Sequence, residues 1–160
     1  MELIQSLPEH RLPVEAFLRR HSAARVARRG VLVDALEHPA VLAYAERKLL
    51  GVATYVVGGD DCELLTLHAA TRFQGVGSAL VTAVQELARS AGCRRLWVVT
   101  TNDNVDALRF YQRRGFRLSA LRPGAVDVSR DVLKPEISRS GAHDIPLRDE
   151  LELEMSLSPD

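Results

Sequence analysis

The clearest repeating pattern of apolar and polar residues lies between Gly75 and Ala91. Leu80, Val84 and Leu87 recur there at the three- to four-residue spacing of one helix face. Gly92 follows directly, and a glycine in that place commonly ends a helix because it adopts left-handed backbone angles without strain. The pattern therefore predicts a long amphipathic helix.

Strand-like patterns occupy much of the remaining chain. Val41 to Ala45 and Leu49 to Val57 are apolar runs joined by the polar turn Glu46-Arg47-Lys48, which is typical of a β-hairpin. Arg95 to Thr100 is mainly apolar, as in a buried parallel strand. Further strands are predicted at Glu2 to Ser6, Glu63 to His68, Phe116 to Ala120 and, from its alternation of Glu with Leu and Met, Glu150 to Leu157.

Shorter helices are predicted from their end residues. Pro13 to Arg20 begins with a proline, and Asn104 to Arg114 lies between a plausible N-cap, Asn104, and Gly115. A third short helix is predicted from Gly124 or Ala125 to Leu133. The alternation of strands and helices after Glu63 predicts an α/β (α+β) fold, with a mixed sheet covered by helices in one domain, residues 1–160.

Composition narrows the function classes. The chain is 46% hydrophobic and 26% charged, with a net charge of zero, so a global attraction to nucleic acid is not expected. Apolar runs are too short for a membrane span, and the N-terminus lacks the pattern of a signal peptide. We expect a cytoplasmic protein without membrane or nucleic-acid partners.

The two cysteines and a cluster of five arginines each bear on binding and reactivity. Cys62 and Cys93 have no metal-ligand spacing, so we expect two buried, unreactive thiols and no metal site. Five arginines fall between Arg19 and Arg29. They fit a solvated helical face, or a basic lip close to a phosphate or an acidic substrate.

The turn between the strand at Glu63 and the long helix carries the strongest chemical signal. It contains the pattern Arg72-x-x-Gly75-x-Gly77. Glycines admit close backbone approach, and the free N–H groups and dipole of a helix start favour an anion such as a pyrophosphate. Leu80 stands where a dinucleotide fingerprint needs its third glycine, and no P-loop lysine follows. A plain glycine-rich connection is the alternative.

Three segments together resemble the GNAT family, the GCN5-related N-acetyltransferases. They are Glu63-Leu64-Leu65-Thr66-Leu67, Arg72-x-x-Gly75-x-Gly77, and Asn104-x-x-Ala107-x-x-Phe110-Tyr111-x-x-x-Gly115-Phe116. The resemblance covers the cofactor half of that fold. It implies a sheet of about six to seven strands with a cleft between splayed parallel strands, here those ending at Leu67 and Thr100.

The resemblance also implies acetyl-CoA as co-substrate, transfer of its acetyl group to a primary amine of a small molecule or peptide, and no metal. A homodimer is a further possibility that the family suggests. The cofactor residues that it implies are Leu65, Leu67, Arg72, Phe73, Gln74, Gly75, Val76, Gly77, Ser78, Asn104, Ala107 and Tyr111. Asn104 fits a plain helix cap equally well.

Acetyl transfer needs a neutral amine and a proton for the leaving thiolate. Tyr111 matches a family position that often supplies this proton, although it also fits a core aromatic residue. Glu63 is the candidate general base, with Asp61 less favoured, and a strand-edge carboxylate held by an arginine is the alternative. Period-two counting places Glu63 with Leu65 and Leu67 and puts His68 on the opposite face.

The sequence does not identify the acceptor amine. By the resemblance, Arg19 to Asp34 and Arg122 to Asp149 form its pocket, with Asp149 or Glu150 holding a cationic amine, or else forming local ion pairs in a solvated loop. The rival function is a non-catalytic acyl-CoA-binding or regulatory module on the same fold.

Overall fold

A computed structural model describes residues 1–71 and 74–158, and it contains nine strands and four α-helices within that part of the chain. The strands are β1 Glu2–Gln5, β2 Arg25–Arg28, β3 Val31–Asp34, β4 Ala40–Ala45, β5 Lys48–Gly58, β6 Asp61–Ala69, β7 Arg95–Thr101, β8 Arg117–Arg122 and β9 Glu150–Ser156. The helices are α1 Arg11–Arg20, α2 Val76–Ser90, α3 Val105–Arg113 and α4 Ala125–Val132. Seven strands belong to the main sheet, as expected, and β2 and β3 form a separate pair.

The chain divides into two compact units. Unit 1 contains Met1–Val26, Asp34–Leu96 and the end of the chain from Leu157, and unit 2 contains Ala27–Val33 and Trp97–Ser156. No helix among the described residues is long and apolar enough to cross a membrane.

Unit 1 is built on four consecutive antiparallel strands, in the order β1-β4-β5-β6. Helix α2 packs on this sheet at Gly51 of β5, where an added Cβ atom would lie 2.7 Å from Val76 and 3.0 Å from Leu80. Because a side chain at position 51 would push the first turn of α2 away, Gly51 fixes where that helix begins. Val76, Leu80 and Val84 are buried on the packed side.

Unit 2 contains most of β7 together with β9 and β8, in that order. Helix α3 follows β7, and Asn104 caps it as predicted, because its Oδ1 accepts a hydrogen bond from the Ala107 amide at 3.2 Å. Gly115 follows α3 with a φ of +94°, in agreement with the predicted helix end. The predicted short helix after Gly124 is also present, as α4.

The sequence does not predict the β2–β3 hairpin. It allows the five arginines between Arg19 and Arg29 to lie on one solvated helical face. Instead, Arg19 and Arg20 end α1, Arg25 and Arg28 lie in β2, and Arg29 lies in the turn. The solvated helical face is therefore wrong. The dipeptide Arg29-Gly30 has φ values of +52° and +75°, as in the two-residue turn of a tight hairpin, and this glycine signal was available in the sequence.

Candidate active site

The glycine turn forms the start of α2, as predicted. Gly75 has a φ of +76°, a conformation that other residues adopt only with strain, and it directly precedes the helix. Gln74 is exposed, Gly77 and Ser78 are partly exposed, and the Val76 side chain is buried. Val76 therefore has only its backbone to offer a ligand. Backbone N–H groups at a helix start have no partner within the helix and favour an anion.

Two further predicted cofactor residues, Arg72 and Phe73, lie outside the described residues. Their roles stay predictions.

Strand β6 contains a β-bulge at Leu65. Leu64 pairs with Tyr55 and Thr66 pairs with Thr54, so no residue of β5 stands opposite Leu65. An inserted residue of this kind interrupts the ladder and changes which side chains share a face. The bulge falls on a residue assigned to cofactor binding from the sequence.

The bulge corrects the predicted faces of β6. Glu63 stands opposite Val56, and His68 stands opposite Val52. Residues directly opposite each other share a face, and alternate residues of β5 do so too. Glu63 and His68 therefore share one face, while Leu67, opposite Ala53, lies on the other. The period-two assignment was wrong beyond residue 65 because it assumed an uninterrupted strand.

Glu63 is only 3% exposed, so its carboxylate lies within the protein interior of unit 1. Asp61, the less favoured base, is half exposed and lies 3.5 Å from an Arg95 guanidinium nitrogen. Of these two candidate bases, Glu63 is therefore the one shielded from solvent.

His68 contacts a second histidine. Its ring centroid lies 5.1 Å from that of His21. Burial, and secondarily the charge of His21, lowers the pKa of His68 to about 4. His68 is therefore neutral at physiological pH.

The remaining predicted residues lie on α3, in unit 2. Ala107 is partly exposed, and its amide is the group that Asn104 caps. Tyr111 is only 6% exposed, and its ring packs edge-on against Phe110 and Phe116, at centroid distances of 5.3 and 5.2 Å. Burial raises the pKa of Tyr111 above its ordinary value. Its phenol is therefore a protonated donor throughout the physiological pH range.

The residues between β7 and α3 have a structural role that sequence reasoning did not detect. Asn102 accepts hydrogen bonds from the amides of Arg148 and Asp149, and its Nδ2 donates to the Pro146 carbonyl at 2.8 Å. Asp103 accepts from the amide of Ala142. This short polar run therefore holds the irregular segment before β9, which was assigned to the acceptor pocket.

Arg130 of α4 also holds the irregular segment before β9. The residue is only 7% exposed, and its guanidinium donates to the carbonyls of Ile137, Ser138 and Leu147 and to Asp127, at 2.7–2.9 Å. A buried guanidinium therefore holds this segment through three of its backbone carbonyl groups, although most of the segment is exposed.

Asp149 and Glu150, the candidate amine-binding carboxylates, both accept backbone hydrogen bonds. Asp149 accepts from the Gly124 amide at 2.8 Å, and Glu150 accepts from the Arg29 amide at 3.0 Å. A side chain already bonded in this way has less capacity left for a ligand.

Glu152 is a second buried carboxylate on β9. It lies 2.7 Å from Arg29 and 2.8 Å from Arg122, and the guanidinium of Arg29 lies 4.0 Å from the Trp97 ring centroid. Two of the three glutamates of β9, Glu150 and Glu152, are therefore buried, and Arg29 and Arg122 form ion pairs with Glu152.

Both cysteines are buried, as expected. Burial, with smaller effects of Cys93 and Glu63, raises the pKa of Cys62 to about 12. Burial also raises the pKa of Cys93. Neither thiol is therefore suited to act as a nucleophile.

A family model described as "Acetyltransferase (GNAT) family" matches residues 4–116. The chain belongs to this family. The match confirms the family resemblance, the fold class and the acetyltransferase class predicted from the sequence.

Two relatives come from Bacillus subtilis. The chain is 36% identical to the uncharacterized protein YxbD over 141 residues, which cover 86% of this chain and 87% of YxbD. It is 42% identical to the uncharacterized protein YdhI over 104 residues, which cover 65% of this chain and 64% of YdhI, slightly under two thirds of that protein. The name of neither relative states an acceptor.

A solved structure shares the fold at low identity. It is a GNAT family acetyltransferase from Elizabethkingia anophelis with acetyl-CoA bound, 19% identical, with a TM-score of 0.68 and coverage of 97% of each chain.

Proposed function

We propose that the protein transfers the acetyl group of acetyl-CoA directly to a primary amine of a small molecule or peptide. The observation that carries this proposal is the start of α2, where Gly75 precedes a set of helix-initial amides. Family membership and the acetyl-CoA-bound relative of the same fold support the choice of co-substrate. A cytoplasmic location and a homodimer stay predictions.

The amides from Gln74 to Ser78 would hold the pyrophosphate. Their N–H groups lie at a helix start, where the helix dipole adds partial positive charge. Position 75 carries no side chain, and Val76 is turned into the core beside Gly51. The backbone is therefore open to a bulky anion while the helix itself is firmly packed.

Tyr111 would act as the acid. As the bond between the acetyl carbon and sulfur breaks, the sulfur leaves as a thiolate and takes the phenol proton. Burial keeps the phenol protonated in the physiological pH range, so its proton can move to the sulfur as the thiolate forms.

Glu63 would act as the base. An aliphatic ammonium ion has a pKa of about 10.4 and must lose a proton before or during attack on the carbonyl carbon. A carboxylate that is 3% exposed can accept this proton directly or through a water molecule. The neutral amine then attacks the carbonyl carbon and loses a second proton to solvent as the amide bond forms. The proton held on Glu63 returns through solvent to the Tyr111 phenolate, so each turnover releases one net proton.

The test is CoA release from acetyl-CoA with amines, polyamines, amino acids, aminoglycosides and lysine peptides. We expect turnover with one class, and we expect Tyr111→Phe to lower kcat by about 100-fold with little change in acetyl-CoA affinity. Tyr55→Phe is the matched control, because Tyr55 is also buried and also loses only a hydroxyl group.

Unchanged turnover in Tyr111→Phe would remove this residue from the mechanism. Tight acetyl-CoA binding without release to any amine would instead favour the non-catalytic acyl-CoA-binding module.

A further inference from the structure

A cleft of about 470 Å³ lies in unit 1, between α1 and the turn that joins β4 to β5. Its apolar wall includes Phe17, Tyr44 and Leu49. A volume of this order is within the range of sites that bind small organic molecules. The cleft does not include the residues of the glycine turn that are described, 74 to 78.

Three cationic side chains line the cleft. They are Arg20 at the end of α1 and Arg47 and Lys48 at the turn, and all three residues are exposed. None of the lining residues within the described part of the chain is an aspartate or a glutamate. Cations gathered at one site repel each other, so an anion bound among them would be stabilised.

The backbone at this turn is strained. Glu46 and Arg47 have φ values of +48° and +67°, and they form the two-residue loop between the paired residues Ala45 and Lys48. Such turns ordinarily carry Asn and Gly because side chains are disfavoured at positive φ. A strained backbone that holds a side chain at a cleft is a recurring feature of binding sites.

The opposite wall offers an aromatic surface. The His21 ring stacks on Phe17 at a centroid distance of 4.5 Å, and its Nδ1 donates to the Phe17 carbonyl at 2.9 Å. The Arg20 guanidinium lies 5.9 Å from the Phe17 ring centroid. Phe17 is itself only 1% exposed, so a flat apolar body would fit against the partly exposed rings of His21 and Tyr44, with its charge directed at the cations of the turn.

We propose that this cleft binds a small aromatic anion, with a carboxylate or phosphate group held by Arg47, Lys48 and Arg20. Because residues 74 to 78 do not line the cleft, we expect an anion bound there not to compete with acetyl-CoA. Binding in the cleft does not depend on the function proposed above.

The test is an NMR titration of the whole protein with benzoate and phenyl phosphate, with benzyl alcohol as the uncharged probe. Both anions are expected to bind and benzyl alcohol to bind more weakly. The anion that binds more tightly shows whether the cations of the cleft prefer a carboxylate or a phosphate group. Saturating acetyl-CoA is expected to leave the affinity of either anion unchanged.

Arg47→Gly is the decisive variant, because it removes one cation and relieves the strain together. Anion affinity should fall about fivefold, the scale of one exposed charge pair, while Tm rises. Glu46→Asn is the matched control, because it relieves strain in the same turn and leaves the cations intact. Its Tm should rise with no loss of anion affinity.

Three outcomes would overturn the proposal. They are the absence of binding of both anions at millimolar concentration, equal binding of benzyl alcohol, and unchanged affinity in Arg47→Gly. Displacement of the anions by acetyl-CoA would show that the cleft is part of the co-substrate site. It would overturn the prediction that the anion and acetyl-CoA bind without competing.

Discussion

His68 lies on the same face of β6 as Glu63, although five positions separate them, because Leu65 is an inserted residue. An odd spacing in a regular strand would place the two side chains on opposite faces. The bulge thus places a second titratable side chain, further along the strand, on the face that carries Glu63. It also raises the question of which residue accepts the substrate proton.

We expect Glu63→Gln to lower turnover by about 100-fold or more, because the amide cannot accept a proton. Affinity for acetyl-CoA should be unchanged, which calorimetry checks. His68→Gln, the comparison on the same face, should lower turnover much less, since His68 is removed from Glu63 along the strand. A larger loss in His68→Gln would assign the base role to the histidine.

The stability of the protein should fall in acid partly because of His68. Its pKa of about 4 in the folded protein lies below the value of about 6.5 for an unfolded chain. The unfolded state therefore binds this proton first, so the contribution is fully present above pH about 6.5 and is lost as pH falls toward 4. The shift corresponds to a loss of about 3 kcal/mol.

Urea unfolding of wild type and His68→Gln at several pH values isolates this effect. The difference in unfolding free energy between the two proteins should change between pH about 6.5 and 4 and be constant above that range. His143→Gln, at an exposed histidine, is the control. A constant difference across the whole range would show that His68 does not carry this linkage.

Gly77→Glu should abolish or weaken acetyl-CoA binding by at least about tenfold, because a carboxylate would meet the pyrophosphate at the start of α2. Calorimetric titration measures this directly. Ser90→Glu adds the same charge at the other end of α2 and should bind acetyl-CoA normally. Wild-type affinity in Gly77→Glu would contradict the pyrophosphate assignment.

Arg130→Ala should destabilise the protein by about 3 kcal/mol or more, because three carbonyl groups lose a buried donor. Arg130→Lys should recover only part of this, since an ammonium group cannot reproduce the planar set of donors. Urea unfolding measures both, with the exposed Arg139→Ala as control. Equal stability of Arg130→Ala and wild type would show that these bonds contribute nothing.

The elements that the sequence predicted best are those with a local cause. The spacing of Leu80 and Val84 is a property of one helix, and the cap at Asn104 joins residues three positions apart. The turn at Glu46 and Arg47 likewise follows from two flanking apolar runs. These features depend on residues that are close in the sequence, and they do not depend on how distant parts of the chain pack.

The sequence by itself determined the family, the order of most elements and the glycine turn before α2, because short-range periodicity and backbone freedom specify them. Tertiary structure decided the bulge at Leu65, since pairing with β5 sets the register of β6. It also decided the burial of Glu152, which depends on Arg29, more than one hundred residues away in the chain. Such pairings follow from three-dimensional packing and leave no periodic trace in the sequence.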